Sequence, residues 1–260
     1  MSKTVVISGA SSGIGFATAK LLEELGYCVY GLSRKYPKEN FKFNYHLCDI
    51  TNQSQIDEFI KKLPDSIDVL INCAGMGVSG AVEYSLEKEV KHIFDVNVIG
   101  QFLLTKALIP RLRLSKGRII NIGSVAGEIS IPFQTFYSMT KAAISSFSEG
   151  LRIELKPFNI QVATVLPGDI KTDFTKNRQM PLILEDEVYQ NRIKNSLARM
   201  AKDEENGMSP LFVSKVILKM IKKKRMPVAK TVGINYKLIV FLKRILPKSL
   251  VSYIIQKMYG

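Results

Sequence analysis

Hydrophobic positions along the chain follow two rhythms. Short runs at residues 5–8, 28–32, 43–48, 69–72, 118–122 and 161–166 predict strands, and most of them are continuously apolar, as suits strands covered on both faces. Between them, apolar residues recur at helical spacing over residues 13–25, 53–63, 86–110 and 136–156. Gly26 is a natural stop for the first helix. Alternation of the two patterns predicts βαβ units, hence an α/β fold with a doubly wound parallel sheet and helices on both faces. The pattern loosens from Gly168 to Gly207 into what reads as a polar, irregular insert. Ser209-Pro210 then supplies an N-cap and a proline at the first helical position for a helix to about Lys224.

Composition narrows the class without changing the fold. A chain of 260 residues with 46% hydrophobic and 23% charged side chains can bury a core, which excludes general disorder and fits one α/β domain. The clearest apolar runs, such as residues 238–242, fall well short of the roughly 20 residues of a spanning helix. No signal-peptide pattern precedes the first strand. Cys28, Cys48 and Cys73 cannot all pair within one chain, and reduced thiols in a cytoplasmic setting are expected. The net charge of +14 is uneven. Residues 211–260 hold twelve Lys or Arg and no acid, whereas residues 1–210 carry 25 basic against 23 acidic side chains.

Candidate chemistry begins where the first strand meets the first helix. In Ser8-Gly9-Ala10-Ser11-Ser12-Gly13-Ile14-Gly15, Gly9 permits a sharp exit, Gly13 lets backbone approach a pyrophosphate, and Gly15 allows close helix packing. Ser11, Ser12 and Ile14 share the turn, and the helix N-terminus behind them offers free N–H groups to phosphate. After the second strand comes Ser33-Arg34-Lys35, where an acid would bind the free 2′-hydroxyl of NAD. A guanidinium at Arg34 instead suits a 2′-phosphate, favouring NADP(H). Asp49, beyond the third strand, either accepts from the adenine amino group or caps a turn with Thr51.

A second constellation lies downstream. Tyr137 and Lys141 are four apart on one helix face. A free phenol titrates near about 10, and a neighbouring ammonium favours its ionised form. Ser124 stands at the carboxyl end of the fifth strand, the edge at which such sheets hold ligands. Its hydroxyl is placed to hold a substrate oxygen against Tyr137. No metal-ligand spacing accompanies these residues.

With these motifs the chain resembles the short-chain dehydrogenase/reductases from Lys3 to about Phe174. The likeness rests on Gly9, Gly13 and Gly15, on Asn72-Cys73-Ala74-Gly75, on Asn97 within Asp95-Val96-Asn97-Val98-Ile99-Gly100, and on Ser124, Tyr137, Lys141 and Pro167-Gly168. It implies a Rossmann sheet, with Tyr137 as acid/base and Ser124 as carbonyl-orienting donor. Lys141 would bind the nicotinamide ribose, and Asn97 would hold a water that links Lys141 to a proton relay. Asn72, Ala74 and Gly75 would support the sheet and the adenine side. Pro167, Gly168, Ile170 and Thr172 would contact the nicotinamide end. Cys73 replaces the family's usual second Asn, and Ser8 its usual Thr.

The resemblance leans towards the 17β-hydroxysteroid and retinol dehydrogenase branch. The expected reaction is NADP(H)-dependent interconversion of a secondary alcohol and a ketone on a lipophilic, hydroxysteroid-like substrate, with a 3-oxoacyl substrate as the alternative. A non-catalytic NADPH-binding sensor or scaffold is the rival of another class. Residues 169–207 would form the substrate lid of a catalytic domain spanning 1–233, using Phe174, Met180, Leu182, Ile183, Leu184, Val188 and Tyr189, with Ile129, Ile131, Pro132 and Phe133 opposite. A homodimer or homotetramer through residues 86–110 and 136–156 is expected.

Residues 234–260 form a basic amphipathic extension that Pro247 should divide. They either pack on the body or a partner subunit with a solvated basic face, or lie on anionic lipid as a peripheral membrane contact. Nucleic acid is not expected as a partner, since no nucleic-acid-binding motif accompanies the charge.

Overall fold

The computed structural model describes residues 2–172, 174 and 188–259. Seven strands form one sheet: β1 (Thr4–Ser8), β2 (Cys28–Ser33), β3 (Asn44–Leu47), β4 (Val69–Asn72), β5 (Arg118–Ile122), β6 (Gln161–Pro167) and β7 (Ala229–Val232). Their order is β3-β2-β1-β4-β5-β6-β7, with every neighbouring pair parallel. The order reverses between β1 and β4, and a crevice opens at their carboxyl ends, as doubly wound sheets require.

Side-chain alternation splits the core into two layers. Val5, Ile7, Val69, Ile71, Ile120 and Ile122 pack on one face with helices α1 (Gly13–Glu24) and α7 (Pro210–Lys222). Val6, Leu70, Ile119 and Val162 pack on the other with α2 (Gln53–Lys61), α4 (Gly100–Ser115) and α5 (Thr135–Glu154). Strands β1, β2, β4, β5 and β6 thus feed both layers through their period of two, which explains why most of them read as continuous apolar runs, whereas the edge strands β3 and β7 contribute to one layer only.

The structure departs from the sequence pattern in three places. The expected helix over 86–110 is α3 (Glu87–Phe94), a π-helical turn at Asp95–Ile99 and then α4, which runs through Pro110 to Ser115. The whole run Glu87–Ser115 is long and apolar enough to cross a membrane. Here it serves as a core helix, with Leu104, Leu108 and Leu112 fully buried under the sheet. The supposedly irregular insert contains α6 (Gln190–Glu205), whose Ser196 and Met200 face inward. Strand β7 was hidden by its short, half-polar sequence at the sheet edge.

The basic extension forms two helices, α8 (Ile234–Ile245) and α9 (Lys248–Tyr259), parted at Pro247 as expected. Val240 is buried against Val125 and Ile129, so the hairpin packs on the body. Two phenols fasten it: Tyr236 donates to Asp169, and Tyr259 donates to Asp203 at 3.1 Å. Burial, reinforced by these carboxylates, holds both phenols above their ordinary pKa, so both remain neutral donors.

Candidate active site

Local geometry at the end of β1 follows from two residues. Gly9 adopts φ +69°, and a Cβ there would lie 2.7 Å from the Ala74 nitrogen, so only glycine lets the turn pass under the β4 loop. The Ser8 hydroxyl accepts from the backbone nitrogens of Cys73 (3.1 Å) and Ala74 (3.2 Å), pinning that loop beside the turn.

Helix α1 begins at Gly13 with no side-chain cap from Ser12 and no acid in its first turn. Its leading N–H groups point at the cavity wall and are available to phosphate oxygens. Ser11 and Ser33 hydroxyls lie 3.0 Å apart where the first turn meets the end of β2. Arg34 and Lys35 follow, both exposed and both on the same wall. Asp49 caps a turn by accepting from the nitrogen (2.9 Å) and hydroxyl (2.8 Å) of Thr51 through one oxygen, and it also lines the cavity. The two alternatives for Asp49 are therefore compatible.

At the other end, α5 carries Tyr137 and Lys141 one turn apart. Lys141 is buried, donates to the Ile122 carbonyl at 2.9 Å and lies 5.6 Å from the Tyr137 ring centre. Burial pushes its pKa down to about 8, opposed by the Cys73 thiol. That thiol is itself pushed up to about 12 by burial. Ser124 follows β5 and accepts from the Ala126 nitrogen at 3.0 Å. A hydroxyl has one hydrogen and two lone pairs, so this bond leaves the hydrogen free to be donated into the cavity. The Phe174 ring stands 5.6 Å from that of Tyr137.

One continuous cavity of about 1640 Å³ joins these groups. It is larger than the roughly 300–1,000 Å³ of a single small-molecule pocket, and fits a dinucleotide plus a substrate. Its walls include Gly9, Ser11, Ser12, Gly13, Ile14, Arg34, Asp49, Ala74, Gly75, Ser124, Tyr137, Lys141, Pro167, Gly168, Ile170 and Thr172. The uncapped helix start, the Gly9 turn and the volume of the cavity together fit a nicotinamide dinucleotide.

Three expected residues lie behind the wall instead. Gly15 packs against the Gly9 carbonyl. Asn72 is fully buried and donates to Thr105 and Asn121, each at 2.8 Å, so it ties β4 to α4 and β5, the sheet-supporting part of its expected role. Asn97, in the π-helical turn, accepts from the Met76 nitrogen (2.8 Å) and donates to the Met76 carbonyl (2.9 Å) and the Thr140 hydroxyl (3.1 Å). Both its amide hydrogens are committed, which makes Asn97 a positioning residue for the Gly75-Met76 loop and for α5.

Of the lid residues, Phe174 lines the cavity, whereas Met180, Leu182, Ile183 and Leu184 lie outside the described residues. Ile129 and Ile131 line it too. Phe133 and Tyr189 meet edge-on at 6.4 Å. The sequence reading missed the far wall, which the C-terminal hairpin supplies through Ile239, Leu242, Leu246, Val251, Ile254 and Ile255. Tyr236 covers Gly168 so closely that a Cβ there would overlap its ring. The signal lay in α8, where apolar residues occupy two opposite faces rather than one.

Comparison with known proteins agrees with this geometry. The family model described as short chain dehydrogenase matches residues 3–181. A 3-ketodihydrosphingosine reductase of Bacteroides thetaiotaomicron is 38% identical over 98% of this chain and 97% of its own length. The NADPH-dependent 1-acyldihydroxyacetone phosphate reductase of Saccharomyces cerevisiae is 32% identical over 83% of this chain and 77% of its own. A short-chain dehydrogenase from Streptomyces avermitilis superposes with a TM-score of 0.81 at 28% identity, over 94% of both chains. A sheet order, a glycine turn and a Ser, Tyr and Lys cluster that converge on one cavity therefore have a shared ancestry, and the chain belongs to the short-chain dehydrogenase family of oxidoreductases.

Proposed function

We propose that the chain is an NADPH-dependent reductase of a ketone carried on a long-chain lipid, with Tyr137 as the proton donor. The observation that carries this reading is the course of the cavity. It runs from the glycine turn past Ser124, Tyr137 and Lys141 and ends among the apolar side chains of the α8–α9 hairpin. Such a cavity offers polar chemistry at one end and a hydrocarbon slot at the other. The names of the Bacteroides and yeast relatives both denote ketones on lipids, which supports a chain-like substrate.

In the mechanism, Ser124 donates to the substrate carbonyl oxygen and holds it at Tyr137. Bound NADPH would supply hydride to the carbonyl carbon. Tyr137 delivers its proton to the same oxygen, so ketone, hydride and proton give the alcohol. Lys141 holds positive charge beside the phenol and is placed to bind ribose hydroxyls. Phe174 and the hairpin exclude water from the reacting end. Arg34 and Lys35 hold the 2′-phosphate at the opposite end. Assembly as a homodimer or homotetramer through α4 and α5 belongs to the same reading, since Ile99 at the end of the π-helical turn and Phe102 on α4 remain exposed, the latter edge-on to Phe147 of α5.

A panel of ketones with NADPH tests the proposal. Catalytic efficiency on a homologous series of 1-hydroxy-2-amino-3-ketoalkanes should rise about fourfold per added methylene until the slot is full, the value of about 0.8 kcal/mol per buried methylene. Efficiency independent of chain length would end the long-chain reading. Preference for a ketosteroid over the whole series would favour the hydroxysteroid substrate in its place. Absence of turnover with every ketone, with NADPH still bound, would leave the sensor or scaffold.

The choice of cofactor is tested separately. Arg34→Asp removes a charge-assisted contact worth roughly 1.5–3 kcal/mol, so the ratio of efficiencies with NADPH and NADH should fall ~10- to 100-fold. An unchanged ratio would remove Arg34 from phosphate recognition.

A further inference from the structure

The hairpin has two apolar faces, and only one of them is used by the body. On α8 the inward positions Tyr236, Ile239, Val240 and Lys243 meet the cavity, Val125, Ile129 and Glu128. The opposite side presents Ile234, Leu238, Phe241 and Ile245 at spacings of four, three and four, with 82%, 57%, 58% and 61% of their surface exposed. That is one continuous helical stripe. Lys237 and Arg244, seven residues apart, run along one flank of it, and no acid follows Glu205 anywhere in the chain. On α9, Leu250 and Tyr253 are likewise exposed near Lys257, while Ile254 and Met258 are exposed and also line the cavity. The bare apolar surface therefore continues into the mouth of the cavity.

We propose that this outer face of the α8–α9 hairpin docks on an anionic lipid bilayer, so that the substrate passes from the membrane into the cavity between α9 and the body. The inference deepens the long-chain reading by adding where the substrate is taken up. Each helix has twelve residues, about 18 Å long, too short to span roughly 30 Å of hydrocarbon, so the hairpin lies in the interfacial plane. Apolar side chains enter the acyl boundary while Lys237, Arg244, Lys248 and Lys257 reach lipid phosphates. A second copy is a poorer occupant. A twofold pairing would set Lys237 and Arg244 near their own counterparts, with no carboxylate in the segment to answer them.

The test uses the full chain and flotation with vesicles of phosphatidylcholine alone or of equal parts phosphatidylcholine and phosphatidylglycerol. Wild-type protein should float with the anionic vesicles and bind the neutral ones at least about tenfold more weakly. The double variant Phe241→Glu, Ile245→Glu changes exposed side chains that do not line the cavity. It should lose anionic-vesicle binding by at least about tenfold and keep NADPH-dependent turnover of a short, water-soluble ketone. Equal flotation of variant and wild type, or no flotation of either, would overturn the docking surface. So would loss of a wild-type dimer in the variant by light scattering, which would assign the stripe to a second copy. Failure of vesicle binding with intact ketone reduction leaves the enzyme reading untouched, and the converse result sinks that reading alone.

Discussion

Replacing Tyr137 by Phe should lower turnover about a thousandfold to ten-thousandfold while leaving NADPH affinity within a few-fold of wild type. General acid catalysis contributes effects of that size, and no other group in the described wall is placed to substitute. Ser124 already accepts from Ala126 and can donate its own hydrogen, but its alcohol is a far weaker acid than a phenol. Lys141 donates to the Ile122 carbonyl and stands off the ring at 5.6 Å. The phenyl ring keeps its packing against Phe174, so the substitution removes one oxygen without opening a void. Rapid-mixing measurements of hydride transfer, set beside a fluorescence titration of NADPH, separate the two effects. Near-normal turnover would remove Tyr137 from the proton path.

Lys141→Met should cost turnover about a hundredfold or more and should also change how stability depends on pH. In the cofactor-free protein burial pushes the Lys141 pKa down to about 8, against an ordinary value near 10.5. Below pH 8 the ammonium is charged in both folded and unfolded chains, so its burial opposes folding in full. Between about 8 and 10.5 the unfolded chain binds more protons than the folded one. Stability from this group therefore rises with pH, by up to about 3 kcal/mol. Above 10.5 both forms are neutral and the opposition is gone. Relative to the Met variant, wild-type stability in denaturant titrations should be lowest at pH 7 and recover as pH climbs through that window. Parallel curves would show that Lys141 is not desolvated. Adding NADPH should weaken the contrast, because ribose hydroxyls give the ammonium acceptors it lacks when the protein is empty.

The sheet was readable from residues 5–8, 69–72, 118–122 and 161–166 because strands buried on both faces must be apolar throughout. The glycine turn, Ser124, Tyr137 and Lys141 were readable because each depends on local spacing. The bonding partners of two further residues depend instead on tertiary neighbours. Asn72 and Asn97 sit in motifs beside the cavity, but their amides bond to Thr105, Asn121, Met76 and Thr140, which no local pattern shows. Helix α6 was obscured because only Ser196 and Met200 of its sixteen residues are buried, leaving little apolar stripe to see. The hairpin was read as either packed or lipid-bound, since a linear sequence does not show that α8 has both an inner and an outer apolar face.

The fastening of Tyr259 to Asp203 has a practical result. This residue both closes the hairpin and lines the cavity that a substrate would enter. A bulky label attached next to Tyr259 would hang at that entrance, whereas one attached at Lys3 would leave from the amino edge of β1, across the sheet from the reacting groups. Kinetics gathered with the two labels should diverge most for the bulkiest substrates, so the choice of labelling position is itself a probe of the doorway.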